Sequence, residues 1–128
     1  MKHTFGKEER LKSKKIIERL YKYGNSVKSF PLRMMYLQTE HTSNFPAQVG
    51  VSVPKRNFKN AVDRNRIKRL MRETYRLQKQ LVYNNIDKPH VLMISYLGKE
   101  EWDYKDLFQK MEKLLTLFIN EVKNTDNE

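Results

Sequence analysis

One segment, residues 60–82, constrains the fold more than any other part of this chain because its side chains form two chemically opposite faces. If the segment NAVDRNRIKRLMRETYRLQKQLV is helical, with about 100° between successive residues, its mainly apolar positions fall within one arc of roughly 120°. These positions are Ile67, Leu70, Met71, Thr74, Leu77 and Leu81. An arc of this width must face a core, so we predict one helix that begins after an Asn60 cap and ends near Val82.

The opposite arc of this helix, about 100° wide, is strongly basic. We call it the basic face; it comprises Asn65, Lys68, Arg69, Arg72, Arg76 and Lys79, with Arg64 and Arg66 at its borders. A solvated charged face usually alternates acidic with basic residues, whereas few acids offset the repulsion here. Because guanidinium groups suit directional contacts with phosphate oxygens, nucleic-acid binding is favoured over a solvated face. A membrane-surface helix is disfavoured because the apolar arc is needed for packing.

Two further stretches have helical spacing. Ser13 is a suitable cap for a first helix, and Gly24 is predicted to end that helix in the left-handed conformation. Asp103 is the predicted cap of a last helix, whose apolar stripe is expected to cover a sheet. Residues 1–12 and 124–128 are expected to be flexible.

The sheet itself is predicted from shorter patterns. Alternation with a period of two indicates strands at residues 32–37 and 47–53, and a nearly continuous apolar run indicates a central strand at residues 91–96. In the second of these strands, one face is too small and polar for an ordinary core, so either solvent or a ligand is expected to cover it. That face consists of Gln48, Gly50 and Ser52.

Composition narrows the possible functions. A length of 128 residues is typical of a single domain. The absence of cysteine excludes a disulfide scaffold, a thiolate metal site and a cysteine nucleophile. Lys and Arg number 26 against 15 Asp and Glu, a formal charge of +11 that attracts polyanions.

Membrane and enzyme patterns are weak. The longest apolar stretch, residues 91–97, is far shorter than the roughly 20 residues that cross a bilayer, and the amino terminus has no apolar signal core. We therefore expect a soluble cytoplasmic protein. The three histidines lack metal-ligand or triad spacing, and the acids at residues 100–106 are better explained by helix capping than by a metal site. Binding is favoured over catalysis by protein side chains.

The run VGVSVPKR followed by KNAVDRNRIKRLMRE is similar to the signature of the bacterial ribonuclease P protein component. The segment RLKSKKIIERLYKYGNS and the last amphipathic helix also resemble this family. The resemblance implies an α+β fold, a two-layer α/β sandwich of order α-β-β-α-β-α with an extra short strand near residues 27–30. It also implies a left-handed β-α-β crossover through the basic helix, although such crossovers are right-handed in nearly all other proteins.

The same resemblance implies a function. Family members join a large catalytic RNA that removes the 5′ leader from precursor tRNA, with magnesium held mainly by the RNA and the substrate. The chain would then be the protein component of a ribonucleoprotein endoribonuclease with no catalytic side chain of its own. We expect the free protein to be monomeric.

Site residues follow from the matching positions. The expected contacts with the RNA subunit, beside the leader groove, are Arg64, Asn65, Arg66, Lys68, Arg69 and Arg72. Ser52, Lys55 and Arg56 match the strand end and turn next to that groove, and Tyr36 matches a strand position where an aromatic side chain meets the leader. Where many relatives have an aromatic residue in the first helix, this chain has Ile17, which leaves Tyr21 as the nearer candidate for base contact. Tyr21, Tyr23, Phe30 and Tyr36 are candidates for stacking on unpaired bases, although packing is the commoner role of each.

Two other functions remain open. A general structured-RNA-binding protein of the ribosomal type explains the charge equally well, but not the small polar strand face. A protein nuclease acting alone would cut RNA in a magnesium-dependent manner without an added RNA subunit.

Overall fold

A four-stranded mixed sheet organises the structure, a computed structural model that describes residues 5–41 and 43–126. The strands are β1 (Asn25–Ser29), β2 (Leu32–Gln38), β3 (Ala47–Ser52) and β4 (His90–Tyr96). The helices are α1 (Lys14–Tyr23), α2 (Ala61–Arg76), α3 (Lys79–Tyr83) and α4 (Tyr104–Asp126), and a 3-10 turn at Lys7–Glu9 precedes them. The predicted mixed α+β class is confirmed, and β1 is the extra short strand, longer at its start than expected.

Strand β4 lies inside the sheet, as its apolar sequence predicts. The strand order is β1-β2-β4-β3, in which β3 and β4 are parallel and the other pairs are antiparallel. The connection between the parallel neighbours β3 and β4 runs through α2 and α3. The β-α-β crossover is therefore present, while its handedness stays a prediction.

The main core lies between one sheet face and the helices α2 and α4. Alternation places Met34, Ile94 and Leu92 on this face, where all three are fully buried. The predicted stripe of α4 covers them. Asp103 caps α4 as predicted, because its Oδ1 accepts a hydrogen bond of 2.8 Å from the N–H of Asp106. No helix in residues 5–41 or 43–126 is both long and apolar enough to cross a membrane.

Helix α1 packs on the other sheet face, over β2 and β4. Leu20 lies there against Val91 and Met93 in a second, smaller cluster of buried residues. The predicted cap Ser13 accepts a hydrogen bond of 3.3 Å from the N–H of Ile16. Gly24 ends the helix, but its φ of −74° shows that the predicted left-handed conformation is wrong. Close packing explains this glycine better, since a Cβ would lie 2.9 Å from the carbonyl oxygen of Tyr36.

The central helix is divided, contrary to the prediction of one helix ending near Val82. Helix α2 ends at Arg76, and α3 begins only at Lys79. At the break, the side-chain amide of Gln78 donates to the carbonyl oxygens of Thr74 and Phe108, each at 3.1 Å. A contact with α4 therefore stabilises a turn that the helical pattern of residues 60–82 does not reveal. The Asn60 side chain makes no capping hydrogen bond.

The break also changes which side chains are buried. Ile67, Met71 and Thr74 are buried as predicted, but Leu81 is 36% exposed. Tyr75, absent from the predicted arc, is fully buried. The helical wheel therefore places Ile67, Met71 and Thr74 of α2 correctly, misses Tyr75, and fails for the residues after Gln78. Of the segments expected to be flexible, residues 1–4, 127 and 128 lie outside the described part of the chain. Within residues 5–12, contrary to that expectation, Glu9 and Leu11 are buried, and α4 extends through residues 124–126.

Candidate nucleic-acid interface

The exposed side of α2 forms a shallow groove. Because Ile67, Met71 and Tyr75 anchor α2 in the core, the opposite side of the helix faces solvent. We call the resulting depression the α2 groove; it is lined by Phe5, Arg10, Asn65, Lys68, Arg69, Arg72, Glu73 and Arg76. It thus contains most of the predicted basic face.

Three of the α2 cations that line the groove lack an acidic partner. Among the described residues, no carboxylate lies at ion-pairing distance from Lys68, Arg69 or Arg72, which we call the open cations. Burial and the nearby Arg10 lower the pKa of Arg72. An arginine remains charged at neutral pH even so, and an anion in the groove would offset both its partial desolvation and the repulsion.

Three other cations of this region have acidic partners, and we call Arg66, Arg76 and Lys79 the paired cations. Arg66 lies between Asp63 at 2.7 Å and Glu101 at 2.8 Å. Hydrogen bonds to Glu101 raise the pKa of Arg66 further above its ordinary value. The prediction that few acids offset the basic residues is therefore wrong at this border of α2, where an acid comes from the loop before α4.

Arg76 and Arg64 also have partners within the protein. The Nε of Arg76 donates to Glu73 at 3.0 Å, and this contact lowers the pKa of Glu73. Arg64 donates to the carbonyl oxygens of Phe58 and Lys59, at 2.8 and 2.9 Å. Arg64 thus orders the turn before α2, while Asn65 next to it faces the groove.

Lys79 is the clearest error of the helical wheel. Its side chain is buried, only 2% exposed, and its Nζ lies 2.6 Å from Glu9 Oε1. The turn at Gln78 directs Lys79 into the protein instead of continuing the basic face. It therefore does not line the α2 groove.

The small polar face of β3 is covered in part by protein. The Gln48 amide donates to the carbonyl oxygen of Glu8 at 3.2 Å. A Cβ on Gly50 would lie 2.8 Å from the Cε of Met93. Ser52 is half-buried, as Gln48 and Gly50 are, and its Oγ lies 2.8 Å from Ser95 Oγ. Protein atoms therefore contact part of this face, while all three residues, including Ser52 at the end of the strand, keep some exposed surface.

The turn after β3 extends the positive surface around Ser52. Lys55 and Arg56 are exposed in this turn. Arg56 also lines a shallow pocket with Asn57, Leu97 and Lys99. The predicted strand-end residues are therefore close in sequence and accessible, and none of them lines the α2 groove.

Two of the four aromatic candidates, Tyr36 and Tyr21, lie on opposite sides of the sheet. Tyr36 pairs with Leu92 on the main-core face, and its ring packs edge-on against Phe118 at 5.0 Å. Burial, then Glu121, raises the pKa of Tyr36. The register thus puts Tyr36 on the opposite sheet face from Ser52. Tyr21 on α1 is 51% exposed and belongs to the helix on the Ser52 side.

Sequence patterns missed four residues of these surfaces. Arg33 and Ser95 share the sheet face of Ser52 through the strand register. The alternation of β2 predicts which sheet face Arg33 occupies, but the pairing of β2 with β4 is needed to place Arg33 near Ser95. Phe5 and Arg10 line the α2 groove from more than fifty residues away in sequence, and no local pattern indicates this.

Metal-ligating side chains do not cluster in the described part of the chain. Within residues 5–41 and 43–126, no group of three or more His, Asp or Glu residues is arranged to hold a metal ion. The polar surfaces of this part of the chain are suited to binding anions.

Comparison with known proteins agrees with the earlier resemblance. The sequence profile of the ribonuclease P family matches residues 5–118. The ribonuclease P protein component of Porphyromonas gingivalis is 33% identical over 128 residues, covering 95% of this chain and 93% of that protein. That of Chlorobium phaeobacteroides is 41% identical over 89 residues, covering 67% and 61%. The RNase P protein structure from Staphylococcus aureus, 24% identical, superimposes with a TM-score of 0.69 over 85% of this chain and 94% of that one, which shows a common fold.

Proposed function

Because this chain belongs to the ribonuclease P protein family, we propose that it is the protein subunit of a ribonucleoprotein endoribonuclease that matures the 5′ end of tRNA. In this proposal the protein binds the catalytic RNA and the 5′ leader of precursor tRNA. The observation that supports it most directly is the α2 groove, where the open cations face solvent without acidic partners among the described residues.

The α2 groove is suited to the backbone of a structured RNA. Planar guanidinium groups of Arg69 and Arg72 can each offer two parallel N–H donors to a phosphate, and Lys68 adds a flexible charge. Such contacts fix position and orientation without reading base sequence. We therefore assign the α2 groove to the RNA subunit. At the border, Arg66 can exchange its exposed carboxylate partners for phosphate because exposed ion pairs are weak.

The Ser52 face is suited to a single strand. Hydroxyl groups of Ser52 and Ser95 and the Arg33 guanidinium can bond to phosphate or 2′-hydroxyl oxygens, while Lys55 and Arg56 extend the positive surface. The exposed ring of Tyr21 can stack on an unpaired base. We assign this face to the leader, and Tyr36 takes no part in it because its ring packs against the main core on the opposite sheet face.

Catalysis is assigned to the RNA subunit. Magnesium is expected to be held by the RNA and the substrate, and no reaction step is attributed to a protein side chain. The protein contributes affinity and positioning. We expect it to be monomeric when free and to bind one structured RNA.

A general structured-RNA-binding role, of the ribosomal type, is the competing proposal. Both functions would use the α2 groove. Only the first requires the Ser52 face, so affinity for substrates with and without a 5′ leader distinguishes them. The ribonuclease P role is supported if the wild-type protein prefers the leader-bearing substrate and the double variant Ser52→Ala/Arg33→Ala has a smaller preference.

The decisive experiment adds the purified protein to a bacterial ribonuclease P RNA and precursor tRNA at low magnesium. We expect faster leader cleavage than with RNA alone, and no cleavage with protein alone. An unchanged cleavage rate contradicts the proposed function. Cleavage by protein alone would indicate an independent nuclease instead.

A further inference from the structure

The N-terminal segment, residues 5–11, lies along the open edge of β3. Arg10 forms a parallel bridge with Val49, and the N–H of Leu11 donates to the carbonyl oxygen of Val49 at 3.0 Å. Leu11 is buried in the second cluster under α1. Together with the Gln48 hydrogen bond to Glu8, these contacts attach the segment at both sides of Arg10.

A buried carboxylate fixes the same segment to the start of α3. Glu9 is only 1% exposed, and its Oε1 accepts hydrogen bonds from Lys79 Nζ at 2.6 Å and from the Tyr83 hydroxyl at 2.7 Å. Its Oε2 accepts from the N–H of Gly6 at 2.8 Å. Burial raises the pKa of Glu9, but these three donors outweigh it and hold the pKa below its usual value. Glu9 is therefore an ionised anchor that tolerates little displacement, since moving it would leave two charges buried apart.

This anchor places Arg10 beside the open cations. Phe5 packs edge-on against Tyr75 of α2, with ring centroids 5.6 Å apart. The Arg10 guanidinium lies 5.3 Å from the centroid of the Phe5 ring and lines the α2 groove near Arg72. No carboxylate in the described chain lies at ion-pairing distance from Arg10. The fold thus brings a like charge next to Arg72, which is unfavourable unless an anion occupies the groove.

We propose that Arg10 is a further RNA-binding residue of the α2 groove and that Glu9, through Lys79 and Tyr83, is the positioning residue that holds it there. This inference rests on the proposed function and extends it. The ligand is a phosphate of the RNA subunit, gripped between Arg10 and Arg72. The leader is assigned to the Ser52 face, where Ser52, Ser95 and Arg33 do not line the α2 groove.

The first experiment measures binding of full-length variants to a ribonuclease P RNA transcript over a range of salt concentrations. Arg10→Ala should lower affinity about tenfold and reduce the slope of log K against log salt by about 0.7 to 0.9, the loss of one phosphate contact. Arg10→Ala and Arg72→Ala should be non-additive when combined, because both would contact the same phosphate. The control is Lys113→Ala on the exposed side of α4, which removes the same charge and should change affinity less than about twofold.

The second experiment tests positioning separately from folding. Tyr83→Phe keeps the ring and removes the hydrogen bond to Glu9. In the Tyr83→Phe background, Arg10→Ala should lower RNA affinity by a smaller factor than it does in the wild-type protein. In the Glu9→Gln background, this factor should be smaller still. A purely structural role would lower the unfolding temperature of these variants but leave the effect of Arg10→Ala unchanged.

Three results would overturn the inference. In the first, Arg10→Ala does not differ from Lys113→Ala while Arg69→Glu/Arg72→Glu abolishes binding; the proposed function then stands and the role of Arg10 is wrong. In the second, Arg10→Ala weakens binding only of substrates with a leader, which would assign Arg10 to the leader site. An unaltered effect of Arg10→Ala in the Glu9→Gln background would remove the positioning role. Failure of the wild-type protein to bind the RNA would instead reject the proposed function itself.

Discussion

The open cations and the paired cations belong to one short stretch of sequence, yet only the paired cations have acidic partners among the described residues. Arg69 and Arg72 face the α2 groove, whereas Arg66 lies between Asp63 and Glu101, and Lys79 is buried against Glu9. The partners of the paired cations come partly from distant elements. A basic pattern in sequence therefore identifies candidate RNA contacts, but the fold decides which of them are available.

The largest expected effect concerns the most enclosed paired cation. Lys79→Met removes the counter-charge of a buried carboxylate and should lower the free energy of unfolding by about 3 to 5 kcal/mol in urea titrations. Lys68→Met, the matched change at an open cation, should alter stability by less than about 0.5 kcal/mol. Adding Glu9→Leu to Lys79→Met should restore much of the loss, because no buried charge then remains. Equal losses for Lys79→Met and Lys68→Met would contradict the distinction between the two groups.

Reversal of two open cations should have the next largest effect. Arg69→Glu/Arg72→Glu should lower affinity for the ribonuclease P RNA by at least about 100-fold, since two phosphate contacts become repulsive. Circular dichroism and the unfolding midpoint should change little, because Arg69 is exposed and Arg72 half-exposed opposite the buried side of α2. Unfolding of this variant would assign the two residues to structure.

A smaller effect compares neighbours on the border of α2. Glu101→Gln replaces one carboxylate partner of Arg66 by a neutral amide. RNA affinity should rise about twofold, because a phosphate then displaces an amide and not a carboxylate from Arg66. Arg69→Ala should reduce the salt slope by about one phosphate contact, and Arg66→Ala by less. Filter binding at several salt concentrations measures both. An affinity for Glu101→Gln below that of the wild type would show that the ion pair prepares Arg66 for binding.

The smallest expected effect is a pH dependence. The lowered pKa of Glu9 means that its stabilising contribution is present above the ordinary value of 4.5 and is lost as the pH falls through the lower folded-state pKa. Unfolding midpoints measured from pH 7 to pH 3 should therefore decrease more steeply in the wild-type protein than in Glu9→Leu/Lys79→Met. Parallel curves would show that Glu9 titrates alike in the folded and unfolded states.

Local patterns predicted most of the secondary structure. Ser13 and Asp103 cap helices where expected, and the strand alternations gave the correct segments because side-chain period and burial coincide there. The break at Gln78 could not be predicted in this way, since it depends on the carbonyl oxygen of Phe108, thirty residues later. A helical wheel assumes continuity, and Lys79 was misplaced for that reason.

The candidate site was predicted less completely than the fold. Residues of α2 were identified because one helix displays them together. Tyr36 and Ser52 were grouped although the register puts them on opposite faces, and Arg10 was missed because its neighbours are distant in sequence. Surfaces built from several elements require the pairing of strands, which composition and periodicity do not contain.

The interior place of β4 has a consequence for synthesis on the ribosome. Strand β3 has no partner strand among the described elements except β4, which is made about forty residues later. The β1-β2 hairpin, β3 and the cationic helix α2 therefore emerge first, and nothing joins the hairpin and β3 into one sheet until β4 follows. During that interval the nascent chain displays its positive charge before its hydrophobic core can close.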